Sequence, residues 1–340
     1  MTGFSRRGRI ALAALVGAAC LASGGPVWAD CKMKALPIEV TMVGLKPTVA
    51  AKIDGQDVKL VVDSGAFFNS LTASFALERN LKPAKGEYTG SRIPEAQATV
   101  ITGVAGKVKV SPIVQADTFE FAGLNFKAVP FLTTVSLGSA SGILGQNFLR
   151  LMDVEYDLTN RVMRLVQVED CDKADLAYWV KPGAGYSIIP INQMTPERAH
   201  IVGSVFINGT KMRAIFDTGA STTFITKRAA AKAGVKVDDA GVVESGATQG
   251  IDARRIQTWV GRFPSIKIGD EEIRNGRLTI GDSSADFFDV LVGADFFLSH
   301  RVYVAKSQQK LYFSYNGGPV FNVPRPQAPV TSAPDQAAQP

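Results

Sequence analysis

The sequence predicts a mainly β protein in which two similar lobes follow one another along the chain. Short apolar runs of about four to eight residues, rich in Val, Ile and Phe, are separated by turn signals such as "DGQD", "INGTK", "AGLN" and "IGDEE". Helical patterns are confined to short pieces, such as Thr72 to Arg79 and Thr226 to Ala233. A parallel α/β fold would need longer helices between its strands. The sequence therefore favours an all-β fold with short helices.

An internal duplication defines the two lobes. The stretches "IDG" and "VVDSGA" in the first half recur as "ING" and "IFDTGA" in the second half, at a constant offset of 154 residues. A second element, two apolar residues and a glycine, recurs at an offset of 148 residues, as Ile143-Leu144-Gly145 and Leu291-Val292-Gly293. One unit has therefore been duplicated within the chain. The lobes are predicted at 30–168 and 186–317, with a linker at 169–185.

The two ends of the chain have the composition of segments outside the folded lobes. Arginines at positions 6, 7 and 9 precede an apolar run, Ile10 to Gly24, and a small-residue ending at Ala29, an order typical of a secretory signal peptide. The run is shorter than the ~20 residues that span a bilayer, so we expect cleavage of 1–29, no stable membrane insertion, and a periplasmic or secreted location. The segment 318–340, rich in Pro, Ala and Gln, is predicted to be disordered.

Charge and cysteine content narrow the classes of function. The formal charge is +6, and removal of 1–29, which holds three arginines and no acid, leaves about +3, too little to indicate binding to nucleic acid. The same cleavage leaves Cys31 and Cys171 as a single pair. In an oxidising compartment these residues either form a disulfide or stay as two thiols, because sequence alone does not give the distance between them.

Each repeat carries an aspartate at the end of an apolar strand, namely Asp63 and Asp217. A buried carboxylate is costly unless its charge is satisfied or used. The glycine that follows permits a tight turn with free backbone N–H groups, and the hydroxyl residue can hydrogen bond across to the other copy. A single D-[ST]-G is weak evidence because it is common in turns, but two at the same place of a repeat are far more specific. The residues predicted to support the two aspartates are Ser64, Gly65, Ala66, Thr218, Gly219 and Ala220.

With these motifs and the two apolar-Gly elements, the sequence resembles the aspartic peptidases, and more closely their retropepsin-like branch. The resemblance covers nearly the whole of 30–317, in two copies. It implies two pepsin-like or retropepsin-like β-barrel lobes related by a pseudo-two-fold axis, with the aspartate loops meeting at the floor of a cleft. It also implies a peptide or protein substrate. One chain would supply both halves of the site, and the six-residue difference between the copies favours this monomer over pairing between two chains.

The chemistry of such a pair follows from electrostatics. Two carboxylates ~3 Å apart repel by about 5 kcal/mol at an effective dielectric of 20, so they share one proton and present an acid beside a base. The base takes a proton from water while the acid protonates the peptide carbonyl. Which aspartate is charged at rest is a property of the pair and is not assigned. Because Ala66 and Ala220 offer no hydroxyl to the ionised form, we expect raised pKa values and activity into mildly acidic or near-neutral pH.

Two glycine-containing stretches follow the aspartates at a distance that suits flaps over a cleft. They contain Thr102, Gly103 and Gly106 in the first lobe and Gly246 and Gly250 in the second. Both stretches are equally compatible with ordinary hairpin turns. Phe67 and Phe68 stand where the second copy has Ser221 and Thr222, so the pockets beside the two aspartates are expected to differ, although an aromatic residue beside a buried strand is more often part of the core.

Other chemistries have little support. The chain has only two histidines, His200 and His300, which leaves almost no material for a Ser-His-Asp triad or a zinc site. Asp153, Glu155 and Asp157 alternate along a strand and are predicted to face solvent rather than to bind a metal. No metal or cofactor is therefore predicted. The serious alternative is a secreted peptide-binding or protein-binding module that keeps the two-lobed fold without cutting peptides, and the two intact aspartate motifs favour the enzyme.

Overall fold

The computed structural model describes residues 31–84, 87–88, 91–92, 99–103, 106–110, 113–134, 139–249 and 255–321. The predicted signal peptide lies outside these residues, and so does the predicted tail from residue 322 onward. Within the described residues the chain is mainly β with four short α-helices, as the sequence predicts. None of these helices is long and apolar enough to cross a membrane.

The first half of the chain consists of short strands and two helices. The strands are β1 (Lys32–Glu39), β2 (Thr41–Val43), β3 (Lys46–Ile53), β4 (Gln56–Val62), β5 (Ser70–Thr72), β6 (Lys82–Pro83), β7 (Glu87–Tyr88), β8 (Ser91–Arg92), β9 (Thr99–Gly103), β10 (Gly106–Val110), β11 (Val114–Phe121), β12 (Leu124–Thr134), β13 (Gly142–Leu144), β14 (Asp153–Asp157) and β15 (Val162–Glu169). The helices are α1 (Ala73–Glu78) and α2 (Gln146–Leu149).

The second half repeats much of this order. Its strands are β16 (Ser187–Pro190), β17 (Val202–Ile207), β18 (Thr210–Phe216), β19 (Phe224–Thr226), β20 (Val243–Gln249), β21 (Arg255–Ile268), β22 (Glu271–Gly281), β23 (Val290–Val292), β24 (His300–Ala305) and β25 (Lys310–Tyr315). Its helices are α3 (Lys227–Lys232) and α4 (Ala294–Ser299). Helices α1 and α3 start at equivalent threonines, Thr72 and Thr226, whose Oγ1 atoms accept backbone N–H groups of the first turn. Such N-caps explain why helices form at these two places.

Each repeat folds into one sheet that closes on itself. The first lobe has the strand order β2-β3-β4-β13-β5-β12-β11-β6 and is closed by pairing of β3 with β11, while the second has β17-β18-β23-β19-β22-β21-β20 and is closed by pairing of β17 with β21. In both lobes the strand that leads to the aspartate runs parallel to the apolar-Gly strand, β4 beside β13 and β18 beside β23. The two β-barrel lobes predicted from the sequence are therefore confirmed.

Apolar side chains from both lobes form one continuous core. Phe119 packs edge-on against Phe131 and Phe148 in the first lobe, with ring centroids 5.6 and 6.0 Å apart. Phe216 and Phe296 make a similar contact, at 6.1 Å, in the second. Aromatic pairs in this geometry contribute about 0.5–1.5 kcal/mol beyond their burial, and they fix the strands that carry the aspartates.

A third sheet is shared by the two halves of the chain, with the strand order β1-β15-β14-β24-β25-β16. Part of the predicted linker packs on it, with Leu176 completely buried in a cluster that also holds Tyr303 and Tyr312. The sulfur atoms of Cys31 and Cys171 are bonded, which ties the start of β1 to the same segment. The residues between the lobes are therefore packed into the fold rather than loosely connecting its halves.

The prediction that Asp153, Glu155 and Asp157 face solvent is wrong, since their exposed fractions are 3, 0 and 2%. Strand β14 lies inside the shared sheet, between β15 and β24, and the linker covers the face that carries these side chains. Arg164 and Arg301 both pair with the Glu155 carboxylate and compensate its burial. Alternation along a strand identifies residues on one face, but it does not tell whether a later segment covers that face.

Candidate active site

The two aspartates follow directly on β4 and β18 and are held by the neighbouring apolar-Gly strands. The Asp63 N–H donates to the Leu144 carbonyl at 3.1 Å, and the Asp217 N–H donates to the Val292 carbonyl at 2.8 Å. The glycine after each of these strands is required by close packing, because a Cβ at Gly145 or Gly293 would lie 2.6 Å from backbone atoms of the opposing loop. The predicted elements Ile143-Leu144-Gly145 and Leu291-Val292-Gly293 therefore lie directly behind the aspartate loops.

The two loops are locked to each other by the hydroxyl residues that follow the aspartates. The Ser64 Oγ donates to the Phe216 carbonyl at 2.8 Å and accepts the Thr218 N–H at 2.9 Å. Thr218 makes the two equivalent hydrogen bonds in the other direction: its Oγ1 donates to the Val62 carbonyl at 2.7 Å and accepts the Ser64 N–H at 3.0 Å. Both side chains are fully buried. Four hydrogen bonds therefore join two segments that are 154 residues apart.

Each aspartate carboxylate receives two backbone N–H groups from its own loop. Gly65 and Ala66 donate to Asp63 Oδ1 at 2.9 and 2.8 Å. In the second lobe, Gly219 and Ala220 donate to Asp217 Oδ1 at 2.8 and 3.2 Å. These hydrogen bonds need the tight turn that the D-[ST]-G sequence forms.

Each carboxylate also lies against the glycine of the other loop. A Cβ at Gly65 would be 2.3 Å from Asp217 Cγ, and a Cβ at Gly219 would be 2.2 Å from Asp63 Cγ. The absence of a side chain at these two positions is what allows the carboxylates to approach each other. The structure thus brings Asp63 and Asp217 together as one pair, with both residues still partly exposed.

Burial and mutual interaction perturb the protonation of this pair. Burial raises the pKa of Asp63, and the charge of Asp217 and a hydrogen bond with it add to the effect, against the lowering by the backbone N–H groups. Burial likewise raises the pKa of Asp217, while hydrogen bonds to Asp63 and to the backbone lower it. The net direction is upward for both carboxyls, so the pair holds a proton to higher pH than an ordinary aspartate.

Four further polar side chains support the loops and were not identified as site residues from the sequence. In the first lobe, Asn69 Oδ1 accepts the Gly145 N–H at 2.8 Å, and Asn147 Oδ1 accepts the Asn69 N–H at 2.7 Å. In the second lobe, Thr223 Oγ1 accepts the Gly293 N–H and donates to Asp295 at 2.7 Å. The signal that could have revealed them is the repeat itself, because Asn69 and Thr223 are 154 residues apart and Asn147 and Asp295 are 148 apart.

The predicted flap residues that the structure describes lie in antiparallel strand pairs, and their role stays a prediction. Gly103 ends β9 and Gly106 begins β10, and the two glycines are paired in the antiparallel register, in which Thr102 pairs with Lys107. Gly246 lies inside β20, at an irregularity in the pairing with β21, rather than at a turn. Gly250 lies outside the described residues.

The Asp63 loop differs from its counterpart in three ring side chains, those of Phe67, Phe68 and His200. Phe67 and Phe68 are partly exposed, with ring centroids 6.1 Å apart. The His200 Nε2 lies 2.9 Å from the Gly65 carbonyl, a contact that sequence reasoning missed because it depends on folding.

The second histidine, His300, is fully buried and hydrogen bonded to Glu271. Within the described residues, no group of three or more His, Cys, Asp or Glu side chains is arranged to hold a metal ion.

Comparison with known proteins identifies the class. The family model described as aspartyl protease matches residues 49–148 and 203–296, which is more than half of the chain and one match for each repeat. The chain therefore belongs to the aspartyl protease family, and the predicted tandem organisation, with one family unit in each repeat, is confirmed. Among solved structures, the chain is similar to a retropepsin-like aspartic protease from Rickettsia conorii, with 23% identity over 38% of this chain and 91% of that chain, and a TM-score of 0.31. No curated protein sequence matches the chain.

Proposed function

We propose that this protein is an aspartic endopeptidase that hydrolyses peptide bonds through a water activated by Asp63 and Asp217. The observation that carries the proposal is that each carboxylate lies against the glycine of the other loop. Its Cγ atom is 2.2–2.3 Å from the position that a Cβ on that glycine would take. Two acids in such contact share a proton and act as an acid and a base side by side. A fold that needed the loops only for stability would not bring two carboxylates into contact, because their repulsion is unfavourable.

The proposed reaction needs no covalent enzyme intermediate. The ionised carboxylate takes a proton from the attacking water as the new C–O bond forms, and the protonated carboxyl gives its proton to the peptide carbonyl oxygen. As the tetrahedral intermediate collapses, the proton held by the pair passes to the leaving nitrogen and the C–N bond breaks. A hydroxyl of the intermediate returns a proton to the pair as the carbonyl re-forms, which restores the one-proton state. Backbone N–H groups of Gly65, Ala66, Gly219 and Ala220 hold the carboxyls in place through both steps.

The protein is proposed to act as a monomer on peptide or protein substrates in the periplasm or outside the cell. The four hydrogen bonds between Ser64 and Thr218 and their loops support pairing of the lobes within one chain. A bond between Cys31 and Cys171 is typical of an oxidising compartment. The order of residues in 1–29, typical of a secretory signal peptide, supports the same location.

The pH range of activity follows from the raised pKa values of the pair. The active state carries one proton, and it persists until pH rises through the higher of the two pKa values, above which both carboxyls are ionised and the acid is lost. Activity should therefore extend from mildly acidic towards neutral pH. A sharp optimum below pH 3, measured on any cleaved peptide, would contradict this reasoning.

The test replaces each aspartate separately by its uncharged isostere, Asp63→Asn and Asp217→Asn, and measures cleavage of a mixed peptide library between pH 3 and 8. Each variant should lose at least about a thousandfold in kcat, since neither the acid nor the base can be supplied by an amide. Asp57→Asn is the matched control, because that carboxylate is largely exposed and pairs only with a surface lysine among the contacts described.

Two outcomes would overturn the proposal. If either variant keeps full activity, the shared-pair mechanism is wrong. If the wild-type protein cuts no peptide across the pH range and does not bind a statine-type transition-state analogue, the two-lobed fold serves as a binding module instead.

A further inference from the structure

His200 joins the second lobe to the aspartate loop of the first. It directly precedes Ile201, whose carbonyl accepts the N–H of Phe216, the last residue before Asp217. Its ring reaches across to the other loop, where Nε2 lies 2.9 Å from the Gly65 carbonyl. The backbone of His200 thus belongs to the support of one aspartate, while its side chain contacts the loop of the other.

The contact fixes a peptide unit that serves the active pair directly. The carbonyl of Gly65 and the N–H of Ala66 belong to the same planar trans peptide unit, so the two groups point in opposite directions. The N–H end donates to Asp63 Oδ1 at 2.8 Å, and the carbonyl end meets His200. A donor at the carbonyl both orients this unit and polarises its N–H towards the carboxylate.

Contacts around the ring hold the imidazole in this position. The ring centroid lies 4.2 Å from that of Phe67 and 5.7 Å from that of Phe287, whose plane is nearly parallel to it. Because the carbonyl only accepts, Nε2 carries a proton. Burial and the nearby charge of Arg213 lower the pKa of His200 to about 4, so the ring is neutral above that pH and donates as the Nε2–H tautomer.

The first lobe supplies no histidine in the equivalent place to contact the Asp217 loop. At the repeat offset of 154 residues, position 200 corresponds to Lys46 at the start of β3. In the second lobe, the hydrogen bond equivalent to that of Ala66 is also longer, with the Ala220 N–H at 3.2 Å from Asp217 Oδ1. The first N–H of each loop does not differ in this way, at 2.9 Å for Gly65 and 2.8 Å for Gly219. The difference is confined to the peptide unit that His200 contacts.

We propose that His200 is a positioning residue of the active pair, which holds the Gly65–Ala66 peptide unit so that its N–H stays on Asp63. The kinetic part of this inference rests on the proposed peptidase function, but the structural part does not. Removing the donor should loosen the Ala66 hydrogen bond and destabilise the ionised form of the pair. The pair would then titrate at higher pH and turn over more slowly.

The test compares two variants that separate the hydrogen bond from the packing. His200→Gln keeps a side-chain N–H donor, whereas His200→Phe keeps a ring between Phe67 and Phe287 without a donor. The carboxyl pKa values of Asp63 and Asp217 are followed by carbon-13 NMR, which needs no substrate, and kcat and KM are measured on a cleaved peptide. His300→Gln is the control for the loss of a buried histidine, and thermal unfolding of each variant verifies that it is folded.

We expect His200→Phe to raise the apparent pKa of the pair and to lower kcat about tenfold with little change in KM, while His200→Gln stays within about threefold of wild type. His300→Gln should change thermal stability but not the titration of the pair. An unchanged titration in His200→Phe, or equal losses in both His200 variants, would overturn the positioning role. If no protein cleaves peptide but the titration still follows the donor at position 200, the positioning role stands and the proposed peptidase function fails.

Discussion

The contact between each carboxylate and the opposite glycine allows one substitution to test the whole arrangement. In Gly219→Ala, the new Cβ would lie 2.2 Å from Asp63 Cγ and 2.3 Å from its Oδ2. Carbon atoms in contact lie about 3.5–4.0 Å apart, so the Asp63 carboxyl would have to retreat by more than about 1 Å. Gly65→Ala repeats the experiment on the other side, with a Cβ 2.3 Å from Asp217 Cγ.

A displacement of this size breaks the hydrogen bonds that hold the carboxyl. The backbone N–H groups of Gly65 and Ala66 are 2.9 and 2.8 Å from Asp63 Oδ1, and an additional 1 Å takes both beyond hydrogen-bonding distance. Misplacement of a reacting group by about 1 Å costs on the order of a hundredfold in rate. The steric conflict also destabilises the fold by about 1–3 kcal/mol. Both variants should therefore lose at least about a hundredfold in kcat.

The assay is peptide cleavage together with denaturant unfolding of Gly65→Ala, Gly219→Ala and the control Gly185→Ala. Gly185 is exposed, and the place that a Cβ would take there is open space, so the same substitution should leave activity unchanged. Neither Gly65 nor Gly219 has a left-handed backbone, so the effect at these sites is steric and not conformational. If Gly219→Ala or Gly65→Ala keeps activity within about threefold of wild type, the carboxyls are not positioned as described and the reasoning fails.

Three more outcomes are expected from the energetics of the fold. Folding raises the pKa of Asp217, so this group stabilises the fold fully below its unfolded pKa, and the stabilisation is lost as pH rises through the folded pKa. The free energy of unfolding of Asp217→Asn, measured in urea, should therefore increase relative to that of wild type between pH 4 and pH 7. A difference that stays constant over this range would contradict the reasoning. Glu155→Gln should lower the free energy of unfolding by about 3 kcal/mol in the same assay, because two arginines lose a fully buried partner. A decrease below about 1 kcal/mol would mean that these ion pairs contribute little to stability. The disulfide between Cys31 and Cys171 links residues 140 positions apart in the sequence. Its reduction should destabilise the protein by about 4 kcal/mol and lower the melting temperature. An unchanged melting curve in reductant would exclude a stabilising role for this disulfide.

Local pattern was sufficient to find the two aspartates because the repeat makes them visible. Asp63 and Asp217 are each preceded by an apolar strand and followed by a similar turn sequence, at one constant offset. A strand followed by a glycine turn has much the same geometry wherever it occurs. The same reasoning could have reached Asn69 and Asn147, whose counterparts keep the two offsets. His200 was beyond it, since its partner Gly65 lies 135 residues away and the equivalent position of the first repeat is Lys46.

The acidic residues of β14 show where a correct local observation leads to a wrong conclusion. Their alternation places them on one face, as the sequence indicates, but the face is covered by the linker and its charge is compensated by Arg164 and Arg301. Arg301 lies 146 residues from Glu155 along the chain. Partners that distant are brought together only when the lobes assemble.

The sequence alone determined the class of fold, the duplication and the identity of the two aspartates, because strand periodicity, turn residues and repeat offsets are local properties of a chain. Only the tertiary structure decided how close the carboxylates lie, which glycine faces which aspartate, and which side chain holds the Gly65 carbonyl. It also joined β14 and β24 into one shared sheet and buried the linker on it. These features depend on contacts between segments about 130 to 155 residues apart, and burial, hydrogen bonding and charge compensation at such separations are set by packing of the whole chain.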